Sequence, residues 1–151
     1  MTTTRLGIFK ASESAIVPYK AHDSDIGADL TIISKVKAMG KCTTMYDTGI
    51  VVVPPEGFYV QVHPRSSLSK FGYVFANSTG IIDPSYTGTI KIVLTKVDPS
   101  MPDLTLPFTC AQLIMCRHWN HDIVELGAER LQTTTRGAGG FGSTGGHGSI
   151  E

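Results

Sequence analysis

Four short stretches carry residue types that can act on a phosphorylated ligand. Pro64-Arg65-Ser66-Ser67-Leu68-Ser69 puts a guanidinium and hydroxyls at the start of a turn. Such groups, with backbone N–H donors, make an anion site. The same residues also read as a helix start capped by Ser66, with Arg65 solvated. Residues 77–88 run from Asn77 through Gly80, Ile82 and Asp83 to Tyr86 and Gly88. Asp83 has apolar neighbours and reads as a half-buried carboxylate able to orient and deprotonate water. It reads equally as a turn-forming Asp before Pro84. Tyr86 is a stacking platform or a core aromatic.

Residues 21–30 hold Asp23, Asp25 and Asp29. Asp23-x-Asp25-x-Gly27 is spaced like the opening of a calcium loop. Ala28 and Ser34 fall where that loop needs its Gly and closing Glu, so the site is rejected. A carboxylate here can still hold a water of a Mg²⁺ bound mainly by phosphates. The fourth stretch is the glycine-rich tail, with Arg136, Phe141, Gly142, Ser143 and Thr144 spaced along it. It reads as a clamp for phosphates and a flat ring, a flexible linker, or an Arg-Gly RNA-binding segment. A single Arg-Gly argues against the last, and the missing Lys-Ser/Thr rules out a Walker A loop. The five histidines have no metal-ligand spacing, so a metal held by protein side chains alone is not expected.

Short, β-branched, alternating segments must position these groups. Strands are expected near residues 6–10, 29–34, 49–53, 57–63, 72–76, 88–96 and 110–118. In the clearest, Ile90, Ile92 and Leu94 share one face. Residues 66–71 make a turn or two, and no long amphipathic helix is evident. Turn chemistry at Pro54-Pro55-Glu56-Gly57, Asp83-Pro84 and Asp98-Pro99 punctuates the strands. The pattern predicts an all-β sandwich, barrel or jelly-roll-like domain. It stops near residue 133, where the glycine-rich tail begins.

The 151 residues fit one domain with a real core. Lys plus Arg and Asp plus Glu are both 13, which disfavours binding to duplex nucleic acid. Cys42, Cys110 and Cys116 are odd in number and lack a Cys-x-x-Cys, so free buried thiols in a reducing compartment are expected. No apolar run has signal or membrane-span length. The expectation is a soluble intracellular protein, cytoplasmic or nuclear.

The order of the stretches is more specific than any one of them. Gly-x-Asp-Leu, Arg-Ser-x-Leu, Gly-x-Ile-Asp-x-x-Tyr-x-Gly, Ala-Gln-Leu-Ile and Arg-Gly-x-Gly-Gly-Phe-Gly-Ser-Thr-Gly follow one another from about Ala21 to Gly145. This resembles the five-motif pattern of the trimeric dUTP diphosphatases (dUTPases). The resemblance implies a jelly-roll-like (β-clip) domain over residues 1–135 and a flexible arm over 136–151 that closes on the active site. It implies a homotrimer with sites at subunit interfaces, and Mg²⁺-dependent hydrolysis of dUTP to dUMP and pyrophosphate. Such an activity limits uracil incorporation into DNA and supplies dUMP for thymidylate synthesis.

The resemblance also assigns roles. Asp83 matches the water-activating carboxylate and Asp29 the one linked through water to Mg²⁺. Arg65, Ser66 and Gln112 match phosphate contacts, with Ser67 beside them. A β-hairpin from about Asn77 to Tyr86, including Gly80 and Ile82, would read uracil, with Asn77 at the family's uracil-contacting Asn. Tyr86 would pack under the deoxyribose and leave no room for a 2′-hydroxyl. Arg136 would reach the γ-phosphate, Phe141 would stack on uracil, and Gly142, Ser143 and Thr144 would complete the arm's contacts. The 16 residues from Arg136 could span at most roughly 50 Å, enough to reach a neighbouring subunit.

Departures are specific. Ser67 stands where the family usually has Gly, which is tolerable only with φ below zero. Pro107-Phe108-Thr109-Cys110 replaces Gly-Asp-Arg-Ile, so a common structural Arg is lost at Thr109. Pro84 stiffens the turn after Asp83. The related dCTP deaminases place a catalytic Glu ten residues after the Asp and an Arg two before it. Here those positions are Val93 and Ile81, which argues against deamination. A catalytically silent binding protein on the same fold is the third reading, and nucleotide turnover separates it from the first.

Overall fold

Ile90, Ile92 and Leu94 are all buried, as their alternation predicts. Burying each such side chain contributes roughly 1.5–3 kcal/mol. The computed structural model describes residues 3–143, 145 and 146. In chain order its strands are β1 (Gly7–Lys10), β2 (Ala28–Ile32), β3 (Ser34–Ala38), β4 (Thr43–Asp47), β5 (Ile50–Val53), β6 (Phe58–Pro64), β7 (Tyr73–Phe75), β8 (Gly80–Ile82), β9 (Lys91–Lys96) and β10 (Phe108–Arg117). A 3-10 helix, Ser66–Phe71, follows β6. Gly72 ends it with φ 74°, a conformation that glycine adopts without a Cβ penalty.

Two four-stranded antiparallel sheets, β2-β10-β6-β8 and β3-β4-β9-β7, are accompanied by the two-stranded β1-β5 pair. Leu30, Val60, Val62 and Leu113 from the first sheet join Tyr46, Ile92, Leu94 and Phe75 from the second in one apolar core. The fold is all-β and jelly-roll-like, with only two short 3-10 helices among the described residues.

Three expectations need correction. β3 and β4 were not expected as strands. β3 is an exposed edge strand carrying Lys35 and Lys37, and β4 buries only Tyr46. Edge strands are often lysine-rich and weakly patterned because only one side is paired. Residues 77–86 do not close into a paired hairpin among the described residues. β8 pairs with β6 through Ile82↔Val60 and Gly80↔Val62, while the strand before it, β7, pairs with β9 in the other sheet. The segment therefore passes from one sheet to the other. The three thiols are free, but Cys110 alone is fully buried, and Cys42 is exposed.

The chain divides into two compact units, Met1–Trp119 and Asn120–Glu151. The strands all belong to the first. The second holds the short 3-10 helix Ala128–Arg130 and a series of turns. No helix among the described residues is long and apolar enough to cross a membrane.

Candidate active site

β10 lies between β2 and β6 and brings three distant segments together. Gln112 is in register with Asp29 on one side and His63 on the other. Between Thr109 and Ala111 the β2 register shifts, leaving a bulge at Cys110. The Cys110 carbonyl accepts the Arg65 N–H at 2.9 Å. Gln112 Nε2 donates to the Pro64 carbonyl at 3.1 Å. Arg65 leaves the strand extended and its Nε lies 3.0 Å from Asp29 Oδ1. Asp29, Arg65 and Gln112 thus form one cluster. Ser66 and Ser67 open the adjoining helix, beside a pocket of about 250 Å³ lined by Arg65, Ser66, Ser69 and Tyr73.

Arg65, not Ser66, occupies the helix N-cap position, and no side chain caps it. The reading of Ser66 as a capping residue is therefore wrong, and its hydroxyl is exposed at the first helical position. Among the described non-glycine residues, positive φ occurs at Ser78 and Phe141. Ser67 thus keeps the negative φ that a serine there requires. Thr109, at the lost arginine position, pairs its hydroxyl with buried Thr31 at 2.8 Å.

A second group sits on the β8 edge. Gly80 and Ile82 lie in the strand, Asn77 precedes it, and Asp83 and Tyr86 follow. A pocket of about 200 Å³ is lined by Ile81, Ile82, Asp83, Tyr86 and Lys91. Asp83 is exposed rather than half-buried. The reason is topological: β8 is an edge strand, and the turn after it runs through solvent. The Tyr86 N–H donates to the Asp83 carbonyl at 3.0 Å, and the Tyr86 hydroxyl donates to the Thr89 carbonyl at 3.0 Å.

Gly80 is opposite Val62, so Asn77 and Gly80 lie towards the Arg65 end of β6, while Asp83 and Tyr86 lie towards its other end. Ile82 is opposite Val60, so continuing the register sets Asp83 near Tyr59, while Arg65 follows the other end. Six residues at the rise of a strand separate them by roughly 20 Å. One chain therefore does not set Asp83 against the Asp29–Arg65–Gln112 cluster.

Within the second unit the tail turns on itself. Arg136 Nε donates to the Gly139 carbonyl at 2.9 Å, and the Ser143 N–H to the Gly140 carbonyl at 3.1 Å. Gly142 has φ 91°, and the Phe141 ring is fully exposed. Thr144 lies outside the described residues.

Among the described residues, no group of three or more His, Cys, Asp or Glu is arranged to hold a metal. Asp29 offers a single carboxylate, one oxygen of which faces Arg65. That donor set fits a Mg²⁺ whose remaining ligands are waters and phosphates, because Mg²⁺ dehydrates reluctantly. Sequence reasoning missed Asp47 and Thr89, and passed over Lys91 beside the second pocket. Their signal was the exposed polar position of Lys91 between Ile90 and Ile92.

The two packed antiparallel sheets are of the jelly-roll-like β-clip class. The dUTPase family model matches residues 13–145. The deoxyuridine 5′-triphosphate nucleotidohydrolase of Thermobifida fusca is 40% identical over 148 residues, covering 96% of this chain and 81% of that one. The Staphylococcus bacteriophage 80alpha dUTPase with dUPNHPP superposes with a TM-score of 0.76 at 23% identity, over 95% of this chain and 99% of that chain. A mutant dUTPase from phage phi11 of S. aureus, which coordinates a structural Mg(II) ion, gives 0.66 at 20% identity, over 81% and 96%. The chain belongs to the dUTPase family.

Proposed function

We propose that this chain hydrolyses dUTP to dUMP and pyrophosphate, with Asp83 as the base that activates the attacking water. The water adds in line to the α-phosphorus. Its proton passes to the Asp83 carboxylate, the α–β bridging P–O bond breaks, and pyrophosphate leaves. Arg65 and Gln112 hold the phosphate chain, and Ser66 bonds an oxygen near the bridge. Ser67 contributes its backbone N–H. Fixed donors of this kind stabilise developing negative charge without reorganising. Bound Mg²⁺ would neutralise phosphate charge, with Asp29 holding one of its waters.

The base is read at the β8 edge by Asn77, Gly80 and Ile82, and Tyr86 packs under the deoxyribose. The arm, residues 136–151, closes last, with Arg136 on the γ-phosphate and Phe141 on uracil. Gly142, Ser143 and Thr144 complete its contacts. Removing dUTP in this way keeps uracil out of DNA and supplies dUMP.

The observation that carries the reading is the separation of Asp83 from the Asp29–Arg65–Gln112 cluster along β6. A nucleoside triphosphate needs its phosphates and its α-phosphorus water within one site. Asp83 and Arg65, roughly 20 Å apart by strand rise, meet that need when one copy supplies Arg65 and another Asp83. This supports sites shared between copies, as the proposed homotrimer requires.

The test is pyrophosphate release from dUTP, dTTP, dCTP and UTP. Release from dUTP alone is expected. Comparable rates on all four would overturn the specificity, and ammonia release from dCTP would point to deamination. Asp83→Asn should keep nucleotide affinity and lower turnover by about 10²–10⁴-fold. Normal turnover would remove Asp83 from the role.

A further inference from the structure

Lys91 opens β9 and is in register with Asp47 of β4. Its ammonium donates to Asp47 Oδ2 at 2.8 Å and also to the Thr89 hydroxyl. Asp47 is fixed in turn, because its Oδ1 accepts the Gly49 N–H at 2.8 Å. Burial works against ionising Asp47, but the hydrogen bonds from Lys91 and Gly49 and the Lys91 charge outweigh it. Its carboxyl therefore lies below the ordinary range. On the other side, the carbonyl of the same Thr89 accepts the Tyr86 hydroxyl at 3.0 Å. Lys91 also lines the pocket with Asp83 and Tyr86.

We propose that Asp47, Lys91 and Thr89 form a strut that fixes the Tyr86 ring, making Lys91 a positioning residue for sugar selectivity. The inference rests on the reading that Tyr86 packs under the deoxyribose. Tyr86 is 43% exposed and packs closely against Gly88, so its hydroxyl bond adds to contact on one side of the ring. Its hydroxyl bond to Thr89 sets the ring's tilt, and the cation holds Thr89 through its side chain. A wall that excludes one hydroxyl must be held to a fraction of an ångström. Without the cation, Thr89 and the ring shift together and the space for a 2′-hydroxyl opens.

The experiment compares kcat/KM for dUTP and UTP on the full-length protein. Both substrates are read on one preparation, so the ratio is independent of the folded fraction. Lys91→Met and Asp47→Asn should each lower the dUTP:UTP ratio by about tenfold, mainly through a lower KM for UTP. Lys91→Arg should restore it to within about threefold, since a second cation can bridge the same acceptors. Asp47→Asn preserves shape and carries the test if Lys91→Met does not fold. A ratio unchanged in both variants, with Tyr86→Ala abolishing selectivity, overturns the strut and leaves the Tyr86 reading intact. An unchanged ratio in Tyr86→Ala overturns the Tyr86 reading itself. A ratio lowered by Met and not restored by Arg assigns the effect to packing and also overturns the strut.

Discussion

Arg65 Nε and Asp29 Oδ1 lie 3.0 Å apart, although their side chains are 38% and 17% exposed. With the Arg65 side chain more than a third exposed, solvent screening keeps the pair's contribution to the order of 1 kcal/mol. Its geometry is set by the backbone instead, through the bulge at Cys110 and the carbonyl that takes the Arg65 N–H.

Arg65→Gln should therefore separate activity from stability. The expected loss in kcat/KM is about 10²–10³-fold, the size seen when one donor to a developing anion is removed. The melting temperature should stay within a few degrees. Steady-state kinetics and a thermal melt on the same sample check this, and a large melting shift with intact kcat/KM would reverse the assignment.

Truncation after Thr135 should leave the strands and their core intact. Among the described residues, Arg136 Nε donates to the Gly139 carbonyl and the Gly137 N–H to the Thr134 hydroxyl, both within the tail. Thermal stability should be unchanged, while kcat/KM falls by about 100-fold because ordering of the phosphates and base is lost. Unchanged kinetics would make the tail a linker.

Gly88 is the one residue of its turn that leaves space for the Tyr86 hydroxyl. A Cβ there would lie 2.5 Å from that oxygen and 2.7 Å from Cζ. Gly88→Ala should push the ring aside and cost up to about 100-fold in kcat/KM for dUTP. Equal effects on dUTP and UTP would show that the ring does not read the sugar.

The strands with strict alternation were legible in the sequence, because burial on one face imposes a period of two. β9 is the example, and Ser66–Phe71 was legible as a short helical turn. β3 was not legible, since every residue in it is exposed and an edge imposes no period. Residues 29, 65, 77, 83, 86 and 112 stand out as candidates through their order in the sequence, but the distance of Asp83 from the Asp29–Arg65–Gln112 cluster was not legible. That distance depends on which strands pair, and pairing is a long-range property. The exposure of Asp83 was hidden for the same reason, because β8 at a sheet edge cannot be told from a central strand by three residues.

The thiols should respond in the order of their burial. Cys42 is exposed and Cys110 fully buried. Burial pushes the Cys110 thiol from 9.0 up to about 12. In the native protein a thiol-exchange reagent should modify Cys42 first and Cys110 only after unfolding. The sign of the pH effect follows. In the unfolded chain Cys110 ionises near 9.0, while in the fold it stays neutral to about 12. Its contribution is fully present below the lower value and is lost as pH rises towards the higher one. Cys110→Val should flatten the alkaline loss of stability, measured as melting temperature against pH.

Mixing two inactive variants tests the shared site directly. If Arg65 and Asp83 act within one chain, an assembly of Arg65→Gln and Asp83→Asn chains has no site with both groups. If neighbouring copies supply them, some sites receive Asp83 from an Arg65→Gln chain and Arg65 from an Asp83→Asn chain. With equal amounts assorting at random, about a quarter of the sites are intact, as expected for a cyclic assembly with a heterologous interface. The variants should be unfolded together, refolded together and assayed for pyrophosphate release. Variants refolded separately and mixed just before assay give the baseline for slow subunit exchange. Recovery near a quarter of the unmodified rate supports shared sites, because Asp83 and Arg65 along one copy of β6 are too far apart to serve one triphosphate. No recovery, with light scattering showing that the mixed assemblies form, would place both groups in one chain's site and require β8 to move along β6.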